Sequence, residues 1–212
     1  MILPDFFLRL MEFVLHWEGL AYTGGRNDKG GATKFGVSLR FLKGLPVLEG
    51  DLDGDGAVTW KDVFSMTREQ ALDLFWRHFG QPLYVGAWPS PLAAVLLDTG
   101  VNCGRGSAVR WAQAACNGMG EAPAPLLVDG VLGQKTRAAL CAACRLPGGP
   151  DALARAVIAA RKAHYDRLNA TGDPDYTVNH KGWMRRVASL EAFVAGRPWR
   201  MEDKPWERTQ AA

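Results

Sequence analysis

The chain has 212 residues, 48% hydrophobic and 22% charged, which is enough apolar material to bury a core in one domain or two small ones and argues against disorder as the default. A formal net charge of +3 suits an anionic partner but is too small to argue for nucleic-acid binding, which calls for clustered basic residues. No apolar run reaches the roughly 18 residues of a membrane-spanning helix, and the start M-I-L-P-D-F-F-L-R-L-M has neither a basic n-region nor a cleavage site, so a monomer made in the cytoplasm without a signal peptide or membrane insertion is expected.

Phe7, Leu10, Met11, Val14 and Trp17 recur at helical spacing, which predicts a first helix capped by Asp5 and running to about Glu18. Glu18 follows Val14 by four residues and Met11 by seven, so it falls at the edge of the apolar face. Gly19 suits the position after the last turn. Glu18 is therefore expected at the negative end of the helix dipole, beside Trp17 and away from bulk water, a setting that favours the protonated carboxyl a general acid needs. Taken alone, a Glu before Gly is more often an ordinary solvated acid at a helix end. What alters that reading is the glycine-rich turn and short hairpin over residues 19–36, which brings a second carboxylate, Asp28, and a hydroxyl, Thr33. Glycosidic cleavage needs one carboxylic acid to protonate the leaving oxygen and, in inverting enzymes, a carboxylate about 6.5–9.5 Å away to activate water.

Val37 to Leu48 is apolar and partly helical, limited by Gly44 and Pro46. Asp51 to Asp62 then fits an EF-hand-like calcium loop, with Asp51, Asp53, Asp55 and Asp62 at loop positions 1, 3, 5 and 12 and Gly56 at position 6. Ala57 would offer its carbonyl at position 7 and Thr59 a water-mediated contact at position 9, while Val58 points back into the core. The alternative is an acidic turn. Three alternating aspartates would repel one another without a cation, so a structural calcium ion is expected.

Thr67-Arg68-Glu69-Gln70 has the spacing of a capping box and opens a helix through A-L-D-L-F-W-R-H-F, whose Phe75, Trp76 and Phe79 read as core. Ser90-Pro91 starts a central buried helix on which Asp98 and Asn102 lie four apart on one face. They read either as substrate-binding groups or as a satisfied polar pair inside a helical core. A second module begins near Ala108, with a tight turn at Asp129-Gly130 followed by a helical turn. Pro147 to Pro150 breaks the chain, Asp151 is expected to cap a helix to about Leu168, and K-G-W-M-R-R-V begins another. Cys103, Cys116, Cys141 and Cys144 read as free, largely buried thiols, since the C-x-x-C lies in a helical pattern with no second pair. The expected division is residues 1–107, residues 108–195 and a charged, Pro-rich tail, 196–212.

H-W-E-G at 16–19 followed by D-K-G-G-A-T-K-F-G at 28–36 resembles glycoside hydrolase family 108, bacterial and phage N-acetylmuramidases of lysozyme-like helical fold. Asp98, Val101, Asn102 and Gly104 are similar to the family's D-x-x-V-N-x-G, and Tyr165, Gly182, Trp183 and Arg186 to its closing pattern. Asp129, Gly130, Gly133 and Thr136 resemble the D-G-x-x-G-x-x-T of peptidoglycan-binding helical repeats. The chain departs from the pattern at Leu20, where a second Gly is usual, and in a Glu-to-Asp spacing about one residue longer than in many relatives. The resemblance implies a mostly α, lysozyme-like helical fold, to which the residues themselves add the short β-hairpin and the EF-hand-like calcium loop. It implies Glu18 as acid, Asp28 as base or electrostatic partner, Thr33 as the residue positioning water, and Tyr22, Gly31, Asp98 and Asn102 on the substrate side. It further implies an endolysin-type muramidase acting on bacterial peptidoglycan, cleaving the β-1,4 bond between N-acetylmuramic acid and N-acetylglucosamine with inversion, after holin-type or dedicated export. The alternatives are a lytic transglycosylase, which uses one Glu and no base, and a wall-binding protein without the chemistry.

Overall fold

The computed structural model describes residues 2–24, 31–120 and 125–196, so Asp28 lies outside the described residues. The chain is mostly helical and divides between Trp76 and Arg77 into two units.

In the first unit, α1 (Asp5–Glu18) buries Phe7, Leu10, Met11 and Val14, the stripe its spacing predicts, and also Phe13 and Leu15. Phe7 meets Trp76 edge-on, with ring centroids 4.9 Å apart. Pro4 occupies the N-cap position. Asp5 is therefore not the cap; it sits in the first turn, where its charge complements the helix dipole. β1 (Thr33–Lys34) and β2 (Val37–Ser38) pair antiparallel, Thr33 opposite Ser38 and Lys34 opposite Val37. Phe35 and Gly36 join them at φ 51° and 78°, the double positive φ of a type I′ turn, whose twist matches the strands it connects.

Ser38 accepts from the Phe41 amide at 3.1 Å and so starts α2 (Leu39–Lys43). Leu45-Pro46 interrupts the chain before the single turn of α3 (Val47–Gly50). α4 (Trp60–Ser65) and α5 (Arg68–Phe75) each open with a reciprocal capping box, Thr59 with Asp62 and Thr67 with Gln70. α2 packs on α3, β2 and α4, and α4 also packs on β1. Beyond α5 the chain runs through a π-helical turn, Trp76–Gly80.

The second unit is built around α6 (Ser90–Cys103), buried at every residue from Leu92 to Gly100. A helix apolar on all sides belongs at the centre of a bundle, and each fully buried Leu or Val there contributes about 1.5–3 kcal/mol. α7 (Arg105–Met119), α9 (Gly149–Asn169) and α10 (Pro174–Val194) pack against it, and α8 (Gln134–Cys144) packs on α7 and α9. Three expectations are corrected in this unit. Asp151 does not cap α9: Gly148, at φ 68°, holds the N-cap and Asp151 lies in the first turn. α10 starts at Pro174 rather than near Lys181, because Asp173 accepts from the Asp175 amide at 2.9 Å and Pro174 is preset for a first helical turn. Cys141 is exposed, whereas Cys116 is enclosed and burial pushes its thiol up to about 11.

Candidate active site

Glu18 ends α1, half-buried, where Gly19 turns the chain away at φ 83° and returns its amide to the Leu15 carbonyl at 3.1 Å. Its side chain lies directly against the hairpin turn. A Cβ on Gly36 would come within 2.6 Å of the Glu18 Cβ and 2.8 Å of its Cγ, so glycine at 36 is required both by φ and by the carboxylate's stem. The neighbouring Trp17 indole nitrogen is enclosed and has no hydrogen-bond partner among the described residues.

Thr33 sits at the junction of two pairings. Its backbone exchanges bonds of 2.7 and 2.8 Å with Thr23, and on the other side it faces Ser38. The segment around Thr23 is thereby tied back along β1, and Thr33 is fixed in the hairpin whose turn touches Glu18. Gly31 leads into β1 at φ 79°. Tyr22 turns its ring edge-on to Phe64 of α4 at 5.3 Å. Glu18, Thr33, Tyr22 and Gly31 thus all belong to the first unit.

Two aromatics that the sequence reading passed over lie in the same unit. Trp60 and Phe64, one helical turn apart on α4, are 54% and 58% exposed. Lys34 holds this surface to the hairpin by donating to the Phe64 carbonyl at 2.7 Å. Their signal is a pair of large aromatics at i and i+4 in a six-residue helix too short to bury both.

The acidic loop brings one carboxylate oxygen from each of Asp51, Asp53 and Asp55 within 4.8 Å of one another. Asp51 organises the turn, accepting from Gly54 at 2.7 Å, Asp55 at 3.2 Å and Gly56 at 2.8 Å, and Gly56 makes the sharp bend at φ 91°. An all-carboxylate donor set suits a hard cation such as calcium. Asp62 does not join this cluster and is corrected as a ligand. It is fully buried, one oxygen accepting from Leu52 at 2.6 Å and Asp53 at 3.2 Å, the other from Thr59 at 2.7 Å. Burial alone would raise its carboxyl, but these amides outweigh burial and hold it below the usual carboxylate range. Thr59 likewise works as a helix cap, accepting from the Lys61 amide at 3.2 Å. The Ala57 amide closes the loop onto Asp55 at 3.0 Å.

In the second unit Asp98 is corrected as a substrate-binding residue. It is completely buried, one oxygen bound by Arg161 at 2.6 Å and the other by Arg186 at 2.6 and 3.0 Å. Burial opposes its charge, yet Arg186 and then Arg161 hold the carboxyl below its ordinary value. Asn102, half-buried one turn on, accepts from the Tyr165 hydroxyl and from Cys103 at 3.4 Å. Tyr165 also accepts from Arg161 at 2.8 Å and stacks on Trp183 at 5.0 Å. The residues of the closing pattern, Tyr165, Trp183 and Arg186, are therefore the side chains that lock α9 and α10 onto α6. Arg161 was missed, although an Arg in the inward stripe Val157, Arg161, Tyr165 signals a buried acid elsewhere.

Gln113 is a second omission. Its amide, 1% exposed, donates to Asp129 at 2.8 Å, Thr136 at 3.0 Å and the Val131 carbonyl at 3.2 Å, and accepts from Gly130 at 2.9 Å. Asp129, Gly130 and Thr136, three of the four positions of the D-G-x-x-G-x-x-T spacing, are gathered by this one amide. A lone Gln in the apolar face of W-A-Q-A-A-C was the available signal.

Residues 11–104 match the family model for glycosyl hydrolase 108, and residues 107–188 that for a predicted peptidoglycan domain. Brucella abortus SagA, a solved structure, shares the fold with a TM-score of 0.66 at 23% identity, over 90% of this chain and 94% of that one. No curated protein matches. The N-terminal acid and the hairpin thus fall within the glycosyl hydrolase 108 match, and the helical second module within the match to the predicted peptidoglycan domain.

Proposed function

We propose that the chain is a lysozyme-like muramidase that cleaves the β-1,4 bond between N-acetylmuramic acid and N-acetylglucosamine in peptidoglycan, with Glu18 as general acid. The observation that carries this reading is the seating of Glu18 at the end of α1 against Gly36 of the hairpin that bears Thr33, within the glycosyl hydrolase match. In this mechanism Glu18 gives its proton to the leaving glycosidic oxygen while Thr33 holds water on the opposite face of the ring. Asp28 takes that water's proton, and the anomeric centre inverts. Tyr22 and Gly31 line the substrate path within the first unit. Asp51, Asp53 and Asp55 hold a structural calcium ion that cross-links the loop before α4 and takes no part in the chemistry. The substrate lies outside the membrane, so the reading carries with it a holin-type or dedicated export route.

Mass spectrometry of digested wall tests the reading. Reducing muramic ends released by the wild type and lost in Glu18→Gln are expected. Products ending in 1,6-anhydromuramic acid would replace the hydrolase with a lytic transglycosylase, and lysis that survives Glu18→Gln would remove Glu18 from the mechanism.

A further inference from the structure

The second unit contains a groove of about 960 Å³ between α8 and the segment from Pro125 to Gly133, within the range of small-ligand sites, about 300–1,000 Å³. It lies inside the peptidoglycan-domain match and apart from the residues assigned to bond cleavage. One wall is a stripe of α8. Thr136, Leu140 and Ala143 turn that helix's inner face to the core, leaving Lys135, Ala138, Ala139 and Ala142 on the groove. The opposite wall is a loop clamped from below by two amides one turn apart on α7. Gln113 fixes Asp129, Gly130 and Val131 as described, and Asn117 exchanges two bonds with the backbone of Leu126, at 2.7 and 2.9 Å. The loop is thereby held still by its polar groups while it presents Leu127, 78% exposed, and Val131, 60% exposed. Large apolar side chains held rigidly in water form a prearranged contact surface.

Taking the peptidoglycan reading above as its basis, we propose that this groove binds the stem peptide of peptidoglycan rather than its glycan strand. A glycan carries polar groups on nearly every ring carbon and needs a matching set of donors and acceptors. Here Gln113 and Thr136 spend their polar atoms on the loop itself, and beyond Gln134, Lys135 and Asp129 the lining is methyls and branched aliphatics, too few polar groups to match a sugar ring by ring. Ala138, Ala139 and Ala142 offer the groove only methyl groups, a wall suited to the small alanine side chains that recur in stem peptides. The two charges at the groove complement the rest of such a peptide. Lys135 matches its carboxylates, and Asp129, whose bonds to Gln113 and Val131 fall on Oδ1, has Oδ2 to offer an amine. Held on the peptide, the enzyme keeps its first unit near successive glycosidic bonds while either contact exchanges.

The test titrates the full chain, observed through its backbone amide resonances, with L-alanyl-γ-D-glutamyl tripeptides ending in diaminopimelate or lysine, and separately with chitotetraose. Shifts at Leu127, Val131, Lys135 and Ala139 with a tripeptide, and none there with chitotetraose, are expected. Ala139→Trp, which fills the groove, should weaken tripeptide binding at least tenfold and reduce pelleting with sacculi at an unchanged melting temperature. Should that variant fold poorly, Lys135→Glu, at an exposed position, is expected to weaken binding at least fivefold. Shifts with chitotetraose in this groove, silence with both tripeptides, or affinity within twofold in a folded variant would overturn the proposal. Reducing ends released by the wild type while the tripeptides stay silent would overturn the groove alone. Tripeptide binding in a chain that releases no reducing ends would overturn the hydrolase reading and leave the groove standing.

Discussion

Asp98 carries its charge inside a helical bundle because two guanidiniums reach it from different helices, Arg161 on α9 and Arg186 on α10. Removing that charge strands both cations where water does not reach. Breaking a buried pair in this way costs about 3–5 kcal/mol, so Asp98→Asn should lose that much stability at neutral pH in urea melts. The pH dependence follows from the lowered carboxyl. A group depressed in the folded state contributes its full stability above its unfolded value, about 3.9, and loses it as pH falls through the folded one. The gap between wild type and Asp98→Asn should therefore be constant from pH 7 to about 5 and narrow by pH 3. A gap that widens on acidification would contradict a charged Asp98. Glu18 sits at the edge of a helical apolar face in much the same way, yet it ends on a turn rather than in an ion cluster. Glu18→Gln keeps its volume and loses its proton, so wall lysis should fall by about 10²–10⁴-fold while the melting temperature holds. More than a tenth of activity retained would count against its role as acid.

At the scale of elements, the hairpin is the part that packs against the helix-end acid proposed for catalysis. Phe35 and Gly36 both take positive φ, and Gly36 does so with the Glu18 stem pressed against its α-carbon. Gly36→Ala meets two obstacles at once, a left-handed backbone costing about 1–2 kcal/mol and a clash that only Glu18 can relieve by moving. It should therefore reduce turnover more than its loss of stability explains. Activity measured well below the melting point separates the two, and a folded variant with wild-type turnover would mean that the contact with Glu18 is incidental. The capping boxes behave more simply. Thr67 and Gln70 exchange bonds at 3.2 and 2.8 Å, and Thr67→Ala should cost about 1 kcal/mol without touching kcat.

Across the whole molecule the two modules divide the work, one holding the residues assigned to bond cleavage and the other the groove. The calcium site proposed at Asp51, Asp53 and Asp55 bears on stability. A ligand bound only by the folded state adds about 2.7 kcal/mol at 100 times its dissociation constant, which for a chain of this size is about 5–10 °C in melting temperature. Chelation should lower the melting temperature by that order while turnover at low temperature persists, and Asp53→Ala with Asp55→Ala should reproduce the effect and abolish further response to chelator. An unchanged melting temperature with no calcium uptake by calorimetry would reduce the loop to an acidic turn.

Sequence periodicity by itself determined the buried stripe of α1, the central position of α6 and the Thr67 capping box, because those depend on residues within one or two helical turns. Local turn chemistry likewise pointed to a hairpin, although β2 at Val37–Ser38 lies beyond the 19–36 span expected for it, and drew Asp51, Asp53 and Asp55 into one loop. The resemblance of H-W-E-G and D-K-G-G-A-T-K-F-G named the family that the comparisons then matched. What only the tertiary structure decided are pairings between residues far apart in the chain. Asp98 and Asn102 share a face and a spacing, but Arg161 and Arg186, 63 and 88 residues on, make the first a buried counter-ion and leave the second at its margin. Asp62 fits the twelfth position of a calcium loop, yet its oxygens are taken by the amides of Leu52, Asp53 and Thr59, because a buried carboxylate at a helix start is drawn to the nearest unsatisfied donors. The groove, too, was invisible in sequence, since its two walls are joined by the side chains of Gln113 and Thr136 while Asn117 holds the loop, and a side chain's partners across space leave no period along the chain.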